Sequence, residues 1–395
     1  MKLLILVSRF PYPLEKGDKL RAFHQIRELS QIHELYVFCL SDEKVSESAK
    51  KEVEQYCTEL HIFQLNKLLI YWNTAKQLFT DKPYQVGYFY QSRIQQKINR
   101  EINRIQPNHI YCQLIRTSDY VKNFHGIKKT IDYMDALGMG MKRRAEIASG
   151  LKKQLFATES KRLSEYEHRI FDYFDGHTII SEQDKGHIGH PQNSEIVVIE
   201  NGISDDFFDF EKEIEQDHDI VFNGNMNYPP NIECAEYLVN EILPELQKTK
   251  PEVKVLLSGA NPNERVSKLN QNPAVTVTGW VDDIRESYRR GKIFVAPLFI
   301  GTGLQNKLLE AMALGLPSIT TPLANNALKA PEGDSILIAQ EKAGFVEHIH
   351  YLLDHPDQAQ QIALNGQKFV RSHYNWKDTV ERLNQLLTPK TGKMN

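Results

Sequence analysis

The sequence predicts an α/β protein made of two doubly wound domains, each a parallel sheet covered by helices on both faces. Three observations predict it. Short apolar or β-branched runs alternate with segments of helical spacing along the chain. The alternation comes in two successive series, separated by an acidic stretch without strand pattern over residues 203–218. The length, 395 residues, exceeds what one hydrophobic core usually serves.

The first series runs KLLILVSR, ELYVFCLS, ELHIFQLN, HIYCQLI, KKTIDYMD, GHTIIS and EIVVIEN, which places an N-terminal domain at 1–202. Near-continuous apolar runs of this kind suit strands buried on both faces. The second series runs DIVFNGN, VKVLLSGA, VTVTGWV, KIFVAPLF, LPSITTPL and SILIAQ, with helices such as NIECAEYLVNEILPELQKT between, and places a C-terminal domain at 219–374. Residues 203–218 are expected to be the linker. The closing segment NWKDTVERLNQLL has helical periodicity, and a helix over 375–392 can pack back on the first domain. Two Rossmann-like halves of this kind are expected to present the carboxyl ends of their strands to a shared cleft, where ligands belong.

Composition narrows the function classes. A formal net charge of −3 offers no global attraction for nucleic acid, so no nucleic-acid partner is expected. Cys39, Cys57, Cys112 and Cys234 are scattered without a CxxC or Cys/His cluster, as in a reducing, cytoplasmic compartment without structural zinc. The opening MKLLILV is short for a signal peptide and lacks a small-residue cleavage site, so it reads as a buried first strand. No run approaches the roughly 20 apolar residues that span a bilayer, so any membrane contact is expected to be peripheral. The segment GMKRRAEIASGLKKQLFATESKR reads either as a basic amphipathic helix touching anionic lipid or as a solvated helix face. The histidines are dispersed and HEXXH is absent, so no metal is expected. A hydrolase elbow G-x-S-x-G and a dinucleotide G-x-G-x-x-G after either first strand are also missing.

The segment FVAPLFIGTGLQNKLLEAMALGLPSITT reads as a buried strand, a glycine loop, a helix and another strand. Glycines let backbone approach a ligand, and the N–H groups of Leu304, Gln305, Asn306 and Lys307 at the helix start can donate to phosphate oxygens, aided by the helix dipole. Lys307 can add a charge. Glu310, on the same helical face, can accept two hydroxyl hydrogen bonds from a ribose. The plainer reading stays open: a tight turn whose glycines serve packing, with Lys307 and Glu310 paired at the surface.

In its two-domain setting this segment resembles the donor site of family 4 glycosyltransferases, which are retaining, metal-independent enzymes of the GT-B architecture. The resemblance maps the family's ribose-binding glutamate onto Glu310 in LLEAMALG. The family's other glutamate, which contacts the transferred sugar, falls on Thr302, next to Gly303. Several branches of the family resemble this chain in having GTG or GSG followed by a lysine there. The likeness extends to FNGNMNYPPNIECAEYL, with Gly224 and Asn225 facing the donor, to TVTGWVDDIRESY, where backbone around Val281 frames the base, and to the domain junction VIENGI.

In the first domain, SRFPYPLEKGDKLRAFH places Gly17 and Asp18 where the family has a glycine-rich loop, with one glycine instead of the usual pair. Their N–H groups can form an anion-facing turn, although an ordinary β-to-α loop reads the same. Many family members carry a histidine at a nearby strand end, where Gln113 and Asp132 stand here. Asp132 and Asp135 can accept from an acceptor hydroxyl, and Arg116 can neutralise phosphate or an acidic acceptor. Helix capping by Asp135 and a structural ion pair with Arg116 are the alternatives.

The resemblance thus implies transfer of a hexose from a nucleotide diphosphate sugar, with no further cofactor, to a glycan or lipid-linked acceptor. The expected catalytic residues are Asp132, Lys307 and Glu310. A nucleotide-sugar epimerase on the same scaffold and a non-catalytic nucleotide-sugar-binding protein remain alternatives, because one scaffold serves several chemistries.

Overall fold

The computed structural model describes residues 1–300 and 304–388, which divide into two compact units. Unit 1 comprises residues 1–200 and the chain from Trp376 onward; unit 2 is Asn201–Asn375.

Unit 1 is built on strands β1 (Lys2–Val7), β2 (Glu34–Ser41), β3 (Glu59–Gln64), β4 (His109–Gln113), β5 (Lys128–Asp132), β6 (Gly176–Ile179) and β7 (Val197–Val198). They form one sheet in the order β3-β2-β1-β4-β5-β6-β7, with parallel neighbours throughout. The register sets Leu3 of β1 opposite Leu35 on one side and His109 on the other. Apolar side chains on the two faces feed two separate cores, one with Leu4, Phe38, Ile98 and Tyr166, the other with Leu3, Ile5, Phe23 and Ile26. Burial on both faces is why these strands read as unbroken apolar runs.

Unit 2 repeats the plan with β8 (His218–Asn223), β9 (Val255–Ser258), β10 (Val275–Val277), β11 (Gly291–Ala296), β12 (Ser318–Thr320) and β13 (Leu337–Ile338), ordered β10-β9-β8-β11-β12-β13 and all parallel. In both sheets the order reverses direction beside the first strand, between β1 and β4 and between β8 and β11. Ligands of doubly wound sheets sit beyond the carboxyl ends of the strands at this reversal.

Two segments differ from the sequence reading, and the closing helix agrees with it. The stretch 203–218 is not free chain: Phe207, Phe208 and Phe210 lie against the core of unit 2, and Ile203 bridges to Asn375. Its acidic residues face outward while three phenylalanines anchor it, a pattern that the charge obscures. The basic segment at 140–162 is not one helix, because Leu137–Ile147 and Gly150–Phe171 are separate and Gly150 adopts φ +57°. The helix Trp376–Leu387 belongs to unit 1, where Trp376, Val380, Leu383 and Leu387 pack with Ala22, Phe23 and Ile26 of helix Gly17–Leu29. Among the described residues no helix is long and apolar enough to cross a membrane.

Candidate functional site

At the reversal point of the second sheet, the chain leaves β11 and enters helix Asn306–Ala313, capped at Gln305. Thr302 and Gly303 lie outside the described residues. The first main-chain bond of the helix runs from the Leu308 N–H to the Gln305 carbonyl at 2.9 Å, so the N–H groups of Asn306 and Lys307 precede the helical ladder. Lys307 Nζ donates to Gln305 Oε1 at 2.9 Å. Burial lowers its ammonium, with the Cys234 thiol of helix Pro229–Tyr237 and Glu310 opposing.

Glu310 is not in contact with Lys307 as a surface pair. Its Oε2 accepts 2.7 Å from the hydroxyl of Tyr288, a residue of helix Ile284–Arg289 that is wholly buried. Burial pushes the Glu310 carboxyl up, while the Tyr288 bond and the Lys307 charge favour the anion. Asn223, the last residue of β8, is buried beside the Tyr288 hydroxyl, with which its amide interacts. Sequence reasoning passed over both Tyr288 and Asn223.

Glycines bring the neighbouring strand ends together. A Cβ on Gly259, at φ +136°, would lie 1.9 Å from the Gly224 carbonyl oxygen, and one on Gly224 would lie 2.6 Å from Asn231 Nδ2. The Gly224 N–H donates to Ser258, and the Gly259 N–H donates to Gly279, which itself adopts φ +73°. Asn225 is exposed, and its Oδ1 accepts from the Asn227 N–H at 3.1 Å. Val281 is half-buried in the loop after β10, behind the exposed Trp280.

At the reversal point of the first sheet, Gly17 and Asp18 open the helix Gly17–Leu29, and Gln113 Nε2 donates to the Asp18 carbonyl at 3.2 Å. A Cβ on Gly17 would meet nothing within 4 Å. The Asp18 carboxylate accepts 2.6 Å from Arg9 Nη1. Arg116 donates to Gln85 Oε1 at 3.0 and 2.6 Å and stands 4.0 Å from Asp18. Burial and the nearby Arg9 lower its guanidinium to about 10.

Asp132 does not face an acceptor. Its carboxylate is paired with Arg21 at 2.6 Å, both side chains are 0% exposed, and Tyr111 Oη and the Met134 N–H complete its shell at 2.9 and 3.2 Å. Burial alone would raise the carboxyl, but Arg21 and these donors hold it below the ordinary range. A residue closed in this way cannot take a proton from a substrate, so the structure removes Asp132 from the catalytic candidates. Asp135, three residues on, is exposed and does not cap the helix beginning at Leu137; Glu167 Oε1 accepts from the Gly138 N–H instead. Crowding by protein atoms and the Asp184 carboxylate push Asp135 up to about 6.

Among the described residues one acidic and histidine grouping has metal-like spacing, Glu59, His61 and Glu101. Arg104 donates to both glutamates and offsets part of their charge.

Residues 217–355 match the family model of glycosyl transferases group 1. The chain is similar to an uncharacterized 44.6 kDa protein in the cps region of Klebsiella pneumoniae, 23% identical over 400 residues that cover 95% of this chain and 97% of that one. Among solved structures it is similar to a sucrose-phosphate synthase from Thermosynechococcus elongatus, with a TM-score of 0.67, 14% identity and 98% of each chain covered. It is equally similar to Anabaena Alr3699/HepE in complex with UDP-glucose, with a TM-score of 0.67, 13% identity, and 98% of this chain and 99% of that one covered. The fold is GT-B. With the group 1 segment in unit 2, the class that fold and match define is a glycosyltransferase.

Proposed function

We propose that the chain is a retaining, metal-independent glycosyltransferase of family 4 type, which moves a hexose from a nucleotide diphosphate sugar to a glycan or lipid-linked acceptor in surface polysaccharide assembly. The observation that carries this reading is the start of helix Asn306–Ala313, where Lys307 and a buttressed Glu310 stand at the reversal point of the second sheet. The helix N-terminus and Lys307 would hold the diphosphate, and Glu310 would accept from the ribose hydroxyls. UDP-glucose, bound in the Anabaena protein, is the first donor to test. The cps setting of the Klebsiella relative supports a polysaccharide acceptor.

Retention without a carboxylate nucleophile fits front-face substitution: the bond from the anomeric carbon to the leaving diphosphate oxygen breaks, the acceptor oxygen bonds on the same face, and that diphosphate oxygen takes the acceptor's proton. No side-chain base is needed, so the closure of Asp132 costs this mechanism nothing. What it asks of the protein is preorganised donors around the developing charge. Arg116 and Asp135 remain the acceptor-side candidates, and a cytoplasmic position with peripheral contact at an anionic membrane belongs to the same proposal.

The test is a thermal-shift and calorimetric screen against UDP, GDP, ADP and CMP and their sugar conjugates, with chelator present, followed by Lys307→Ala and Glu310→Ala. Binding raises the melting temperature by mass action. Selective binding that both folded variants lose, and a product that keeps the donor's anomeric configuration, support the reading. Epimerised donor without any acceptor would replace it with an isomerase.

A further inference from the structure

The helix Lys67–Lys76 and the turn Gln77–Phe79 in unit 1 bury Ile70 in the core and leave most of their other apolar side chains outside. The inward face carries Asn73, whose amide donates to the Tyr90 carbonyl at 2.6 Å, and Gln77, buried and bonded to the Asn73 carbonyl at 2.8 Å and to the Thr80 hydroxyl at 2.6 Å. Gln77 packs so closely on Gly87 that a Cβ there would lie 2.6 Å from it. At the start, Asn66 Oδ1 accepts from the Leu68 and Leu69 N–H groups at 2.9 and 3.2 Å. These bonds fix which face points in.

The outward face is apolar. Leu68 is 79% exposed, Tyr71 74%, Trp72 73% and Phe79 89%. The first three stand at i, i+3 and i+4 and so form one stripe. A contiguous exposed apolar patch on a folded chain marks an interaction surface.

Within the helix the charge has one sign, while Asp81, just beyond Phe79, is acidic and exposed. Lys67 and Lys76 close the two ends of the stripe, and the helix holds no acidic residue. Arg162 Nη1 donates to the Gln77 carbonyl at 2.7 Å, and Glu159 accepts from the Tyr84 and Gln85 N–H groups, which fastens helix Gly150–Phe171 alongside. The first turns of that helix, about 6 to 12 Å from Glu159 at 1.5 Å per residue, carry exposed Leu151 and Leu155 with exposed Lys152 and Lys153. The whole chain has a formal charge of −3, so any attraction to an anionic surface is local, within the ~8 to 10 Å reach that salt permits.

We propose that this face docks on an anionic phospholipid surface, with Trp72, Tyr71, Leu68 and Phe79 entering the headgroup boundary and the lysines meeting lipid phosphates. Tryptophan and tyrosine suit that boundary because each has an apolar body and a polar handle. A bilayer also asks for no shaped groove, only for exposed apolar side chains such as these. The proposal names the surface for the membrane contact suggested above and stands apart from the donor-site reading.

The experiment is co-sedimentation of the full chain with vesicles of phosphatidylcholine alone or with phosphatidylglycerol added, at low and high salt, without nucleotide. The chain is expected to pellet with the anionic vesicles only, less so as salt rises. Trp72→Ser combined with Phe79→Ser is expected to lower partitioning about tenfold or more, since each removes a large apolar ring. Circular dichroism and nucleotide binding should stay unchanged in that variant, which separates this result from any failure of the donor site. Wild type left in the supernatant with anionic vesicles, or a double variant that pellets like wild type, overturns the proposal. So does a wild-type dimer that the double variant converts to monomer without any vesicle binding, which would assign the face to a second copy of the chain.

Discussion

The Tyr288 hydroxyl, wholly buried, donates 2.7 Å to the Glu310 carboxylate, the group assigned here to the donor ribose. This bond fixes one carboxylate oxygen and leaves the other to accept from ligand hydroxyls. Tyr288→Phe keeps the ring packed against Phe294, 5.5 Å away centroid to centroid, and removes only the donor. Nucleotide-sugar affinity should fall about three- to tenfold, the scale of one net hydrogen bond, with the melting temperature little changed. Isothermal titration of the variant checks this, and unaltered affinity would detach Tyr288 from the site.

Asp132 and Arg21 make the opposite case, a pair whose role is internal. Asp132→Asn removes the carboxylate paired with a buried guanidinium, and breaking a buried pair on one side costs about 3 to 5 kcal/mol. The variant should therefore lose stability in a denaturant titration, and its turnover, per folded molecule and at low temperature, should stay near that of wild type. Full stability with turnover reduced a hundredfold would return Asp132 to the catalytic machinery.

The strands were legible because parallel strands buried on both faces leave unbroken apolar runs, as KLLILV and IFVA do, whichever helices cover them. The Arg21–Asp132 pair was not legible, since its members lie 111 positions apart and an aspartate at a strand end reads alike whether it faces substrate or core. Tyr288 had the same problem: in DDIRESYRR it looks like the apolar member of a short helix, and only the packing shows its hydroxyl aimed at Glu310. The segment after Gly202 read as a linker because its carboxylates outnumber its three anchoring phenylalanines.

Gly259 is expected to tolerate no side chain. Its φ of +136° already disfavours other residues, and a Cβ would overlap the Gly224 carbonyl oxygen at 1.9 Å, which is backbone and cannot swing aside. Gly259→Ala should cost roughly 3 kcal/mol or more, beyond the usual range for a strained backbone position, and displace the Gly224–Asn225 turn. Thermal melting with and without nucleotide measures both effects. A melting temperature within a degree or two of wild type would show that the strand ends have more slack than this contact implies.

His24 connects stability to pH. Its ring stacks on Trp376 at 4.7 Å and 12°, joining helix Gly17–Leu29 to the closing helix, and burial, with Arg27 nearby, pushes its imidazole down to about 3 from 6.5. In the unfolded chain the ring takes up a proton as pH falls through 6.5, whereas the folded chain resists until about 3. The unfolded state binds more protons in that window, so the contribution of His24 is fully present above 6.5 and is lost progressively as pH drops, at up to ~1.4 kcal/mol per pH unit. His24→Phe keeps an aromatic ring against Trp376 and removes the titration. Between pH 7 and pH 5 the variant should lose less stability than wild type in urea titrations. Parallel losses in the two proteins would mean that the ring protonates in the folded state and that acid sensitivity lies in other groups.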